Sequence, residues 1–154
     1  MTTTAAIPEV LSSDEIRKKI MTSSLDLYER LFGYGEKPRR YLEMELRDGV
    51  SEIAVLYDTE TLHVSAFCIF YRRTLSELFI DYLGVSPEAQ GGGVGTRLLR
   101  GVIEYSSGME GLREVSLLCS KEKIPFYKKF GFENTGQFAD LSGIWYRLSK
   151  PVRN

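Results

Sequence analysis

The chain has a single histidine, His63, and only two cysteines, Cys68 and Cys119. Zinc sites draw on clustered cysteines and histidines at short, fixed spacings. Neither the number nor the spacing is present, so no metal centre is expected. Both cysteines lie inside apolar stretches, which predicts buried free thiols in a reducing compartment rather than a disulfide. An excess of charge of one sign is also missing. Twenty Lys and Arg stand against 21 Asp and Glu, a formal net charge of -1, whereas nucleic-acid binders usually carry a clear basic excess. No apolar run approaches the roughly 18 residues of a membrane span. Met1 to Ala6 lack the positive charge and apolar core of a secretory signal. Repeats, low-complexity tracts and linkers are lacking as well. The expectation is one cytoplasmic domain over 1–154, with no nucleic-acid or membrane partner and long enough to bury a core.

What is present is an alternation of helix and strand signals. Ser12 and Glu15 stand at capping-box spacing, and Ile16, Ile20, Leu27 and Leu31 fall near one helical face. Gly33 to Pro38 interrupts that helix. A second, short helix is expected from about Arg39 to Leu46, ending at Asp48-Gly49. Ile53 to Tyr57 and Leu62 to Arg72, rich in branched and aromatic residues, read as strands joined by a hairpin loop at Asp58 to Thr61. Glu77 to Val85 reads as a third strand. Leu98, Leu99, Val102, Ile103 and Tyr105 suggest an amphipathic helix to about Ser107. Val115 to Cys119 is a short strand, and Lys121 to Phe130 a helix with Pro125 in its first turn, where a missing N–H costs little. Phe132 to Gly136 and Ile144 to Leu148 are expected as closing strands. The order, two helices, β-β-β, then α-β-α-β-β, implies a mixed α/β fold with helices on the faces of its sheet.

The chemistry concentrates between Leu83 and Thr96. A strand ends, and a helix opens after Gln90-Gly91-Gly92-Gly93-Val94-Gly95, with glycine at four of the five positions 91–95. Unpaired N–H groups at a helix start, together with the helix dipole, form an anion site, and glycines let the backbone approach a phosphate closely. No Lys or Arg lies between Ser86 and Thr96, so an anion there would be held by backbone amides. A P-loop requires a lysine after the glycines. A dinucleotide fingerprint requires glycine where Thr96 stands. Neither nucleotide motif fits, and a simple turn and helix cap needs fewer glycines.

Gln90 to Gly95 resembles the acetyl-CoA pyrophosphate loop of the GCN5-related N-acetyltransferase superfamily, Gln/Arg-x-x-Gly-x-Gly/Ala. Leu83-Gly84-Val85-Ser86-Pro87 resembles that superfamily's splayed fourth strand, and Phe126-Tyr127-Lys128-Lys129-Phe130-Gly131-Phe132 its Phe-Tyr-x-x-x-Gly-Phe signature. The two motifs stand in the superfamily's order and spacing. The resemblance implies a central mixed, mostly antiparallel sheet splayed at the fourth strand, with helices on both faces. It also implies acetyl-CoA as cosubstrate. The main chain of Leu83, Gly84 and Val85 would pair with the pantetheine arm, and Gln90, Gly91, Gly92, Gly93, Val94, Gly95 and Thr96 would hold the pyrophosphate. The Leu83 N–H would stabilise charge on the thioester oxygen, and Tyr127 would line the site and give a proton to the departing sulfur.

Transfer of acetyl to an amine also requires the amine to be neutral before attack. His63 is expected at the start of a strand beside the hairpin, in a surface role. Asp81 lies two residues before Leu83, on the same side of its strand. A carboxylate among Leu78, Phe79, Ile80, Tyr82 and Leu83 is a candidate proton acceptor, or an anchor for the substrate ammonium. Glu77 is the weaker candidate, at the strand's outer end.

Within the superfamily, Ser116 to Cys119 and Ile124 to Gly136, with the late Trp145-Tyr146, look closest to the arylalkylamine (serotonin) N-acetyltransferase branch. Vertebrate members place histidines where Phe79 and Asp81 stand, and their proline-containing substrate loop has no clear counterpart here. The segment around Cys119 and Phe126 to Gly131 also resembles glucosamine-6-phosphate N-acetyltransferase, whose Glu-Asp pair is half matched by Asp81-Tyr82. Protein N-terminal acetyltransferases share the loop and the Phe-Tyr motif but usually carry Asn where Ser120 stands. The implied function is direct transfer from acetyl-CoA to a primary amine in a ternary complex, the acceptor a small molecule such as an arylalkylamine. Glucosamine-6-phosphate and protein N-terminal or lysine amines are the alternatives, and a homodimer is an admissible assembly. A non-catalytic acyl-CoA sensor is the reading from a different class.

Overall fold

The computed structural model describes residues 13–33 and 36–152. Two helices come first, α1 (Ser13–Phe32) and α2 (Arg39–Arg47), then β1 (Glu52–Tyr57), β2 (Val64–Thr74) and β3 (Glu77–Val85). After a 3-10 turn at Pro87–Ala89 follow α3 (Val94–Ser107) and β4 (Glu114–Cys119). A second 3-10 turn at Lys121–Lys123 leads into α4 (Ile124–Lys128), and β5 (Glu133–Asp140) and β6 (Gly143–Pro151) close the chain. The six strands form one mixed sheet in the order β1-β2-β3-β4-β6-β5. The expected element order and mixed α/β class are therefore present. The proposed Ser12 cap lies outside the described residues.

Boundaries moved where local hydrogen bonds compete with periodicity. β2 begins at Val64 rather than Leu62 because the β1–β2 turn uses both Leu62 and His63. The Asp58 carboxylate accepts the N–H groups of Glu60 (2.8 Å) and Thr61 (2.9 Å), the side-chain turn that aspartate favours. These amides, Thr61's first, draw its pKa down to about 2. The turn closes through Leu62 N–H to Asp58 O (2.8 Å) and Asp58 N–H to His63 O (2.9 Å). Leu62 adopts φ 63° there, uncommon for a side chain of its size, and its burial offsets that strain. The helix expected over Lys121–Phe130 divides into the 3-10 turn and α4, with Pro125 in the first turn of α4. β5 and β6 run longer than expected. All eight residues of β5 are exposed, so no apolar alternation marked its length.

The chain forms two compact units, one of Met1–Ile69 with Tyr82–Leu99 and one of Phe70–Asp81 with Arg100–Asn154. The first packs Ile16, Leu25 and Tyr28 of α1 and Leu42 of α2 against Tyr57, Val64, Phe67 and Ile69 of β1 and β2. The Tyr28 hydroxyl is satisfied by Lys37 O at 2.7 Å. The second unit holds the parallel pairing of β3 with β4, from Glu77↔Glu114 to Ile80↔Leu117. β6 inserts beside β4, antiparallel from Glu114↔Pro151 to Cys119↔Tyr146, and leaves β5 at the edge. β3 continues five residues beyond its last pair with β4, to Val85. This strand, the third of this chain, is the one compared above with the superfamily's splayed fourth.

A charge network crosses the paired end of that sheet. Glu77 on β3 accepts bonds from Arg73 of β2 (3.0 and 2.6 Å), from Arg147 of β6 (3.1 Å) and from the Ser116 hydroxyl of β4. Arg147 also bonds Glu114 of β4 and Thr135 of β5. Burial alone would raise the Glu77 pKa, but the bonds from Arg73, Ser116 and Arg147 outweigh it and the net shift is downward. A carboxylate whose folded pKa lies below its unfolded value, about 4.3, contributes stability fully present above that value. The contribution is lost as pH falls through the folded pKa. Glu77→Gln should cost about 2 kcal/mol at neutral pH, the scale of hydrogen bonds to a charged group. In urea titrations the gap between wild type and mutant should narrow below about pH 4; a gap constant with pH would show that the network carries no linked charge.

Candidate active site

Three successive features converge after β3. The first is the strand end. Tyr82 turns its ring against Tyr28 (centroids 4.9 Å apart) and Phe32 (5.2 Å) of α1. Strand alternation therefore puts Asp81 and Leu83 on the opposite side of β3. Gly84 returns to the α1 side, where an added Cβ would lie 2.8 Å from both Leu31 and Phe67. Glycine lets β3 lie this close to Leu31 of α1 and Phe67 of β2 without displacing either side chain.

The second feature is the turn. Ser86, itself buried, donates its N–H to Ser65 O at 2.8 Å, and Ala89 N–H bonds Ser86 O at 2.9 Å. The Gln90 side chain folds back to Val85 O at 3.3 Å. The third is the glycine segment. Gly91 (φ 88°) and Gly93 (φ 76°) take left-handed conformations, and nothing lies within 4 Å of a Cβ built on either. The turn is therefore open on the side where those atoms would stand. Gly93 O receives the first helical bond of α3, from Arg97 N–H at 3.0 Å. The amides of Val94, Gly95 and Thr96 then fall in the first turn, where N–H groups have no intrahelical acceptor. The one acid of the turn, Glu88, is held by Arg30. Backbone donors, a helix N-terminus and no unneutralised acid fit the diphosphate of acetyl-CoA.

Tyr127 sits in α4, buried, with its ring edge-on to Phe126 (5.0 Å) and Phe132 (5.8 Å). Its carbonyl accepts the N–H groups of Phe130 (3.0 Å) and Phe132 (3.4 Å), which closes the turn after α4. Asp81 is half-buried, one residue past the last β3–β4 pair. Leu83, Gly84, Val85 and Gln90 to Thr96 belong to the first compact unit, Asp81 and Tyr127 to the second.

Other candidates fall away. Glu77 is committed to Arg73, Arg147 and Ser116 and is held as an anion, which suits charge pairing rather than proton acceptance. His63 is exposed in the β1–β2 turn, the surface position expected. Both cysteines are free and buried. Burial raises both thiol pKa values, with Lys123 opposing it at Cys119. Among the described residues no group of three or more His, Cys, Asp or Glu is arranged to hold a metal, and no helix is long and apolar enough to cross a membrane. Two contacts had no signal in the sequence: Arg30 to Glu88, and the Tyr82 hydroxyl to Glu36 at 3.1 Å. Each joins residues far apart in the chain.

Gly84→Ala tests the close approach of β3 to α1. Forcing a methyl group into this packing should destabilise the protein by about 1–3 kcal/mol. Chemical denaturation checks this, and unchanged stability would mean that Leu31 and Phe67 repack freely.

Residues 18–132 match the acetyltransferase (GNAT) family. No curated protein matches the sequence significantly. Solved structures share the fold at low identity. Ard1 from Thermoplasma volcanium superposes with a TM-score of 0.73 at 20% identity, over 88% of this chain and 93% of that one. The ribosomal-protein-S18-alanine N-acetyltransferase of Escherichia coli gives 0.74 at 16% identity, over 100% and 96%. An aminoglycoside 6'-N-acetyltransferase complexed with coenzyme A gives 0.70 at 14% identity, over 87% and 91%.

Proposed function

The chain belongs to the acetyltransferase (GNAT) family, and we propose that it is a cytoplasmic enzyme acetylating a small primary amine by direct attack within a ternary complex. The family membership makes it an N-acetyltransferase that uses acetyl-CoA. The observation that carries the reading is the open glycine turn feeding the first amides of α3. Direct attack is supported by the thiols: Cys68 and Cys119 are buried with raised pKa values, so neither suits an acyl-enzyme route.

When bound, acetyl-CoA supplies the activated acetyl thioester and a thiolate leaving group. Leu83 and Val85 offer main-chain groups to the pantetheine arm, and the Gly91 to Thr96 amides hold the diphosphate. The Leu83 N–H stabilises negative charge on the carbonyl oxygen. Asp81 takes the proton released as the new N–C bond forms, or fixes the incoming ammonium. Tyr127 returns a proton to the sulfur as the C–S bond breaks. The likeness of Ser116 to Cys119 and Ile124 to Gly136 to the arylalkylamine branch supports an acceptor with an aromatic or apolar body.

CoA release measured across a panel of arylalkylamines, amino sugars and peptides tests the reading. Turnover should be fastest with the arylalkylamines. Tyr127→Phe should lower kcat roughly 100- to 10,000-fold with acetyl-CoA affinity nearly intact; wild-type turnover would return Tyr127 to packing against Phe126 and Phe132. Asp81→Asn should lower kcat and flatten the acidic limb of the pH-rate profile if Asp81 is the base, or raise the amine KM alone if it is the anchor. Acetyl-CoA binding without CoA release from any amine would mark a non-catalytic sensor instead.

A further inference from the structure

One ion pair ties α1 to the turn ahead of the glycines. Arg30, in the last turn of α1, reaches Glu88 inside the 3-10 turn, Nη1 to Oε1 at 2.9 Å and Nη2 to Oε2 at 3.0 Å. Two parallel bonds between planar groups fix orientation as well as distance. The pairing is not the one local sequence would choose. Asp26 stands four residues before Arg30, the spacing of a helical ion pair. Arg39 of α2 takes Asp26 (2.6 Å) and Glu29 (2.7 Å) instead. Arg30 reaches the turn instead.

The location gives the pair a consequence. Glu88 lies two residues before Gln90 and three before Gly91, the first residue of the open turn. Ser86 anchors the other side of the 3-10 turn to β2 through Ser65. Beyond Gln90, Gly91 and Gly93 have no neighbours within 4 Å of a built Cβ, so packing does little to hold their conformation. Arg30 also neutralises the one acid of the turn. It holds the Glu88 carboxyl down to about 2, the direct hydrogen bond being the main cause.

We propose that the Arg30–Glu88 pair is a positioning clamp for acetyl-CoA: it holds the 3-10 turn against α1 so that the glycine amides stay in the geometry that receives the diphosphate. The clamp rests on the reading that residues 90–96 hold that group. It acts on cosubstrate binding and leaves the acetyl-transfer step untouched.

The test is acetyl-CoA affinity by calorimetry, with kcat and both KM values, for Arg30→Ala, Glu88→Gln, the double variant and the reversed pair Arg30→Glu/Glu88→Arg. Gly93→Asp is the control for the loop, and thermal unfolding of each variant confirms folding. Each single substitution should weaken acetyl-CoA binding about two- to fivefold, the scale of an exposed, well-oriented ion pair. The double variant should be no weaker than the singles, since both remove one interaction. The reversed pair should recover most of the loss, while kcat and the amine KM stay within twofold of wild type. In about 1 M salt, where the screening length is about 3 Å, the wild-type advantage should shrink. Single variants that bind acetyl-CoA as the wild type does, while Gly93→Asp binds poorly, would overturn the clamp and leave the loop assignment standing. Additive losses in the double variant would overturn it too, as two independent effects. Gly93→Asp binding normally would overturn both the loop assignment and the clamp built on it.

Discussion

Glu77 is the group on which the sheet's paired end depends. Its carboxylate, 10% exposed, is shared by Arg73 of β2, Ser116 of β4 and Arg147 of β6, and Arg147 passes the network on to Thr135 of β5. Removing an ionised carboxylate from water is unfavourable unless its lone pairs are met by donors and countercharge. Here two guanidinium groups and a hydroxyl meet them, and their downward pull on the pKa exceeds the upward pull of burial. The same residue opens the parallel register of β3 with β4. The carboxylate thus ties β2, β3, β4 and β6 together at the first pair of that register. Beyond Ile80 that pairing stops, and β3 runs on to Val85.

From Ile80 onward the constraints change in kind. At Gly84 a Cβ would crowd Leu31 of α1 and Phe67 of β2, a packing demand. Gly91 and Gly93 are required for backbone conformation and for access, with no packing demand at all. The same residue type therefore serves opposite physical needs within ten positions. An open glycine turn resists distortion poorly, because glycine has the most conformational freedom of any residue. That weakness is where contacts on its flank, from Ser65 and Arg30, acquire importance.

Backbone donors suit a diphosphate because they carry no charge to release and no side chain to misplace. In the proposed function, acid and base work falls to side chains, with Tyr127 and Asp81 the candidates. Tyr127 is buried against Phe126 and Phe132, and Asp81 is half-buried on β3. Glu77, which sequence position alone left as a second base, is spoken for by its network.

Much of this protein was legible from residues alone. The element order, the third strand from Glu77 to Val85, the glycine turn and the two buried thiols all follow from periodicity, turn chemistry and composition, which are local or nearly so. The paired motifs around Gln90 to Gly95 and Phe126 to Phe132 were enough to indicate the family. Signals failed where a partner outweighed the local pattern. Leu62 looked like strand but was drawn into the Asp58 turn, and β5 showed no alternation because neither of its faces is buried. The insertion of β6 beside β4, the capture of Glu77 by Arg73 and Arg147, and the pairing of Arg30 with Glu88 were decided only in three dimensions. Each depends on which groups the chain brings together across tens of residues, and electrostatic and hydrogen-bond partners are chosen by distance in space rather than by spacing along the chain.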